Sequence, residues 1–281
     1  MTVQLDQLFD PQINKPQRVT PVGAALVDTL TKEFGGGFAG SLDTTIWAAT
    51  NTGTGSSAGT ASSVLTLASG TSSGGYGAIA SILPARFLYA ASNLARGTFR
   101  LPALQNEYSV RQWGAINFGT KPNITDGFAF SYDDSSGLLS LITINSGVIT
   151  NSVVSGNFNG DVSAYTVDTS QHLFEIVYQL VSVWFFVDGV LLHRFKPGSK
   201  VMTNTMQLAA GAIAYNTNAT AASTSLEVWA FSISKMASAD PSTRYTHINT
   251  ATTTVVKMGG GSLLSVVINS PAGGGEYSYN L

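Results

Sequence analysis

The stretch Val183-Trp184-Phe185-Phe186-Val187-Asp188-Gly189-Val190-Leu191-Leu192-His193-Arg194-Phe195 decides how this chain folds. Two runs of apolar and aromatic residues flank an Asp-Gly pair, the residues a two-residue hairpin turn selects because both must adopt positive φ. The stretch therefore reads as antiparallel strands at 183–187 and 190–195. Outward from this hairpin the same rhythm repeats. Short apolar runs at 63–67, 76–83, 97–101, 112–118, 127–132, 138–145, 148–154, 172–179, 206–212 and 225–234 alternate with turn formers such as Asp133-Asp134-Ser135-Ser136-Gly137 and Asn145-Ser146-Gly147. No helical period of apolar residues competes with them. So many strands without helices predict an all-β, two-sheet jelly-roll sandwich. Trp113, Phe128, Phe130, Phe174, Tyr178, Trp184, Phe186 and Trp229 lie within these strands, mostly at alternating positions, and read as core.

The flanks differ from the body. Residues 1–33 hold Pro11, Pro16 and Pro21, which block regular structure and favour an extended chain. This segment reads as an N-terminal arm with Leu5, Leu8, Phe9 and Ile13 as anchors, and only 24–32 could form a short helix. Residues 34–238 form the sandwich, with 50–59 (Thr50 through Gly59) as a polar loop. Residues 239–281 follow a Ser/Ala/Pro linker and carry strand-like runs at 252–258, 262–269 and 276–280. They make a short C-terminal β segment that is part of a small or shared β domain.

Composition narrows the function classes. Only 11% of the 281 residues are charged, 14 basic against 16 acidic, and there is no cysteine. A net charge of −2 without a basic stripe excludes a nucleic-acid partner. Absence of cysteine excludes a disulfide scaffold, thiolate metal sites and a cysteine nucleophile. No apolar run is long enough for a membrane span, and Met1-Thr2-Val3-Gln4-Leu5-Asp6 lacks the basic and apolar regions of a signal peptide. Charge is thinnest in the sandwich, where 34–85 holds only Asp43 and 135–160 holds none. So little charge favours association, and the surface is expected to lie against other chains.

The hairpin resembles that of concanavalin-like (laminin-G-like) sandwiches, and Leu226-Glu227-Val228-Trp229-Ala230-Phe231-Ser232-Ile233-Ser234-Lys235 looks like their closing strand. Leu42-Asp43-Thr44-Thr45-Ile46-Trp47 and Trp113-Gly114 fit the opening strands more loosely. Near the C-terminus, Thr253-Thr254-Val255-Val256-Lys257-Met258-Gly259-Gly260-Gly261-Ser262-Leu263 resembles a strand pair of tailed-phage virion proteins. The resemblance implies a virion structural protein of the capsid decoration or head-fibre type. It implies a partner in the major capsid protein, bound through Leu5, Leu8, Phe9 and Ile13, and copies of the chain itself, a trimer first. It places the chain on the outer capsid surface after synthesis in the host cytoplasm. The alternative is a lectin-like module of a tail or fibre that holds host surface glycans with Tyr132 and Tyr215 as loop aromatics.

Three constellations of residues bear on chemistry. Glycosidases need two carboxylates on opposite sides of the scissile bond. Glu175 and Glu227 are each the sole acid in their strand, so no catalysis is expected. Asp126, Asp133 and Asp134 are the best calcium candidates but read more simply as turn formers. His172, His193 and His247 lack ligand spacing, and no cofactor or metal is expected.

Overall fold

The computed structural model describes residues 9–10, 15–16, 30–87, 92–104, 108–179, 182–196, 205–218 and 223–236. These residues form 17 strands and no helix. In chain order they are β1 (Phe9–Asp10), β2 (Lys15–Pro16), β3 (Leu30–Gly37), β4 (Trp47–Thr52), β5 (Ser57–Ala61), β6 (Val64–Ala68), β7 (Tyr76–Ser81), β8 (Ser92–Arg100) and β9 (Ser109–Phe118). They continue with β10 (Ile124–Asp133), β11 (Leu138–Asn145), β12 (Val148–Val154), β13 (His172–Gln179), β14 (Ser182–Val187), β15 (Val190–Phe195), β16 (Ala210–Asn216) and β17 (Ser225–Met236). The first large sheet runs β12-β11-β10-β9-β16-β7-β4, and the second runs β15-β14-β13-β8-β17-β6-β5. Strand β17 is long enough for two partners along one edge, β6 at 225–228 and β3 at 230–236. The expected concanavalin-like sandwich is present.

The hairpin turn follows its residues. Asp188 and Gly189 both have positive φ, 49° and 79°, the pair of angles that lets a two-residue turn match strand twist. Alternation then sends one set of side chains from each sheet into a common layer. Trp113 of β9 stands at its centre. Its ring meets Phe174 of β13 edge-on at 4.9 Å and Phe99 of β8 at 5.5 Å, and it stacks on Phe130 of its own sheet at 5.9 Å.

Three local expectations are corrected. The polar loop at 50–59 contains the end of β4 and the start of β5, because an edge strand needs ladder bonds on one side only and few apolar residues. Close approach of the sheets here depends on Gly77, where a Cβ would lie 2.1 Å from the Ser57 carbonyl oxygen. The helix considered over 24–32 gives way at Leu30 to β3, whose bonds to β17 outweigh local propensity. The strand placed at 206–212 begins at Ala210, because the Asn117 carboxamide holds Ala209 N–H and the Gln207 carbonyl just before it. Leu5, Leu8 and Ile13 and the segment 239–281 lie outside the described residues. Phe9 lies in β1, where its backbone pairs with Pro16.

One charge pair is enclosed in the sandwich. Arg111 of β9 and Asp134, just after β10, bond side chain to side chain with both side chains fully shielded from solvent. Arg111 also donates to the Ala103 carbonyl at 2.7 Å and the Ser225 carbonyl at 3.1 Å, tying both sheets to one guanidinium. Asp134 is in the expected turn, at residues 134–137, but its side chain is turned into the interior. Arg111→Ala should cost about 3–5 kcal/mol in chemical denaturation, because Asp134 then stays buried without its cation. Arg111→Met combined with Asp134→Leu should recover most of that loss. A single variant as stable as the parent would refute a dry, structural pair.

Candidate functional site

The outer face of the second sheet carries the densest group of functional side chains. In β14, Val183, Phe185 and Val187 point inward and are buried, which turns Trp184 and Phe186 outward. Both are half-buried, as is Trp229 at a register shift in β17. Strand pairing fixes their neighbours. Trp184 lies beside Arg194 of β15 and Val177 of β13, and Phe186 lies beside Leu191 and Glu175. Glu175 faces Arg96 of β8, and Arg100 of the same strand faces Glu227 of β17.

These pairs are formed. Arg96 Nε lies 3.2 Å from Glu175 Oε1, and Arg100 Nε and Nη2 both reach Glu227 Oε2 at 2.7 Å. The arginines also serve the rings: Arg100 lies over Trp229 at 5.4 Å, and Arg194 lies over Trp184 at 5.0 Å. Aromatic faces offer flat apolar contact, and the charged edges offer directed hydrogen bonds. That combination suits a ligand with one apolar face and many hydroxyls.

The hairpin bearing Trp184, Phe186 and Arg194 is braced at both ends. Along its free edge, Gly160 and Asp161 N–H donate to the Leu192 and Leu191 carbonyls at 2.9 and 2.7 Å. Asn159 N–H donates to His193 Nδ1 at 3.1 Å, so this nitrogen is unprotonated, and burial pulls the His193 pKa down. At the turn, His172 contacts Asp188 through Nδ1 at 2.6 Å and Asp168 through Nε2 at 2.9 Å. Carboxylates accept only, so two such partners favour the form of the imidazole in which both ring nitrogens carry a proton. Burial pulls His172 down, but the Asp188 and Asp168 hydrogen bonds outweigh it, and the net shift is upward. Asp168 is held low by His172 and by Ser170 N–H. Tyr165 faces His172 edge-on at 6.1 Å, and its hydroxyl is pushed up, first by burial and then by both aspartates.

The residues singled out in the sequence are scattered. Tyr132 lies in β10, not in a loop. It is buried at 2% exposure beneath the Arg111 guanidinium, a correction that follows from its inward parity. Tyr215 lies in β16 and is half-buried on the opposite, outer face of the first sheet beside Tyr76. The structure does not bring the two together. Asp126 accepts Ser146 N–H, and Asp133 accepts Ser135 N–H, while Asp134 pairs with Arg111. His247 lies outside the described residues. Trp184, Phe186 and Trp229 were assigned to the core. The alternation around them was the missed signal, since Trp184, Phe185 and Phe186 in succession cannot all face inward.

No family model matches the chain, and no curated protein matches it. Solved structures do. The Emp47p carbohydrate recognition domain is 12% identical, covers 75% of this chain and 99% of its own, and superposes with a TM-score of 0.52. A native glycosidic hydrolase is 12% identical, with 75% and 97% covered and a TM-score of 0.51. A prokaryotic β-1,3-1,4-glucanase (lichenase) derived from a mouse hindgut metagenome is 9% identical, with 71% and 97% covered and a TM-score of 0.50. At these identities the likeness is one of fold, that of the concanavalin-like lectin and glucanase domains.

Two expectations change. The exclusion of catalysis is overturned, since a hydrolase and a glucanase share this fold with a carbohydrate recognition domain. It rested on acids within one strand, whereas a sheet face gathers side chains from several strands; Glu175 and Glu227 share such a face. The virion assignment also loses ground: nothing in the comparisons indicates a phage particle protein, and the motif at 253–263 lies outside the described residues.

The brace at His172 predicts a pH dependence. Its raised pKa contributes stability that is complete below the ordinary value of 6.5 and is lost as pH rises through the folded-state value. The lowered Asp168 contributes above its ordinary value of 3.8 and is lost as pH falls through the depressed one. The Tm difference between parent and His172→Gln should be largest at about pH 4–6.5 and shrink toward about pH 9. A difference constant with pH would show that the ring acts by shape alone.

Proposed function

We propose that the chain binds carbohydrate on the outer face of its second sheet. The observation that carries this reading is the outward row of Trp184, Phe186 and Trp229 set among the Arg96–Glu175 and Arg100–Glu227 pairs. Rings take the C–H face of a sugar, and paired charges, held in place by each other, present oriented donors and acceptors to its hydroxyls. A fold shared with a carbohydrate recognition domain and with glycan hydrolases supports the reading. Glu175, shielded to 8% exposure, serves as an acceptor already fixed by Arg96 and needs no rearrangement on binding.

Affinity electrophoresis through a panel of polysaccharides tests this directly. The parent should be retarded by at least one polymer, and Trp184→Ala with Phe186→Ala should weaken that retardation about tenfold or more. Both side chains are half-buried, so the double variant should melt below the parent, and its retardation is read well below its own thermal transition. Reducing ends measured in the same incubations separate binding alone from turnover. Retardation of the double variant equal to the parent's, or no retardation by any polymer, would reject the face as a glycan site.

A further inference from the structure

This inference rests on the carbohydrate reading and names the kind of sugar. Charge on the second sheet is distributed unlike charge on the whole chain. The chain carries a net −2, yet the outer face of this sheet presents Lys32, Arg96, Arg100 and Arg194 against Glu175 and Glu227. Two of the four cations are spent within the face, Arg96 on Glu175 and Arg100 on Glu227.

The other two, Arg194 and Lys32, form no ion pair among the described residues. Both are exposed. Arg194 spreads its guanidinium over the Trp184 ring, which leaves the N–H edge pointing away from the indole. The Asn159 side chain bonds the backbone of Arg194, and the Asp161 carboxylate accepts Leu191 N–H. Lys32 borders a shallow hollow lined by Gly36, Gly37, Ala230 and Ser232, where small side chains leave room above the sheet.

Strand register relates the two cations. Arg194 pairs across to Trp184, Trp184 to Val177, Val177 to Leu94, Leu94 to Ser234, and Ser234 to Lys32. They are therefore the two ends of one row that crosses the sheet at right angles to its strands. Five strand steps separate them, roughly 24 Å at the usual interstrand spacing. Between them the row holds the half-buried Trp184 and Val177 and then the buried Leu94 and Ser234, with no charge. A chain of hydroxylated rings with acidic groups at intervals matches that pattern; an isolated small anion would meet only one end.

We propose that this row selects an acidic, uronate-bearing polysaccharide laid across the strands, one carboxylate on Arg194 and a distant one on Lys32. The guanidinium takes its carboxylate through paired N–H donors, while Lys32 acts as a point charge. Sugar rings next to Arg194 rest on the half-buried Trp184 and Val177, and the polymer passes over the buried Leu94 and Ser234 to reach Lys32.

Polygalacturonate, with neutral galactan as comparator, serves as probe in affinity electrophoresis at low and high salt. The parent should bind polygalacturonate more tightly than galactan, with the preference fading as salt screens the two cations. Lys32→Gln should weaken polygalacturonate binding about tenfold and leave galactan binding unchanged, whereas Arg194→Gln, which also uncovers Trp184, should weaken polygalacturonate binding about tenfold more than it weakens galactan binding. Equal affinity for the two polymers, or a preference that survives both substitutions, overturns the inference and leaves the carbohydrate reading standing. Binding of neither polymer overturns the inference. Failure of the whole polysaccharide panel overturns the carbohydrate reading as well.

Discussion

The ring of Trp113, wedged between Phe99 and Phe174 of the facing sheet, is the contact on which the sandwich depends. Neither sheet can bury its inner face alone, and a chain without cysteine has no covalent staple to hold the layers. Cohesion therefore comes from interdigitated large side chains, whose edge-to-face pairs add to the area they remove from water. The registers of β8, β9 and β13 follow, because a slip of one residue would turn Trp113, Phe99 or Phe174 toward solvent. The Arg111–Asp134 pair belongs to the same interior, but its role differs. Its guanidinium, carried on β9, also holds the Ala103 and Ser225 carbonyls at the ends of β8 and β17 and so ties the second sheet to the first.

Once the inner layer is set, parity dictates the outer one. Val183, Phe185 and Val187 are claimed by the core, so Trp184 and Phe186 must face outward whatever their hydrophobicity. A half-buried aromatic row on an outer face is costly in water unless something else covers it, and here arginines lie over two of the rings. The same guanidiniums that shield Trp184 and Trp229 are the groups best suited to grip a polar ligand. Shielding and recognition are thus properties of one arrangement. The hairpin that carries most of it is held at its free edge by the 158–161 segment and at its turn by His172, so the rings sit on a braced element.

The fold is shared by lectin-like and hydrolase structures, and the spacing of acids along single strands does not decide between them. A sheet face assembles its groups across strands, at right angles to the chain. Glu175 and Glu227 become members of one face, and Arg194 and Lys32 ends of one row, only through pairing between strands. The low overall charge pointed toward assembly with other chains. In the structure, what charge the second sheet bears outward is gathered with its exposed rings, which is the distribution of a binding face.

The order of residues by itself determined the strands, the Asp188-Gly189 turn and the two-sheet architecture, because alternation and turn chemistry act over a few neighbouring residues. It also marked most of the core, including Trp113, Phe130 and Phe174. Alternation shows that Trp184 and Phe186 share one face and Phe185 the other, but tertiary structure decided which face is covered, that the Asp134 side chain is buried against Arg111, and that polar residues 57–61 form an edge strand. Each of these depends on which strand lies alongside and which face the opposite sheet covers. Those are contacts between residues far apart in the chain, and no local pattern encodes them.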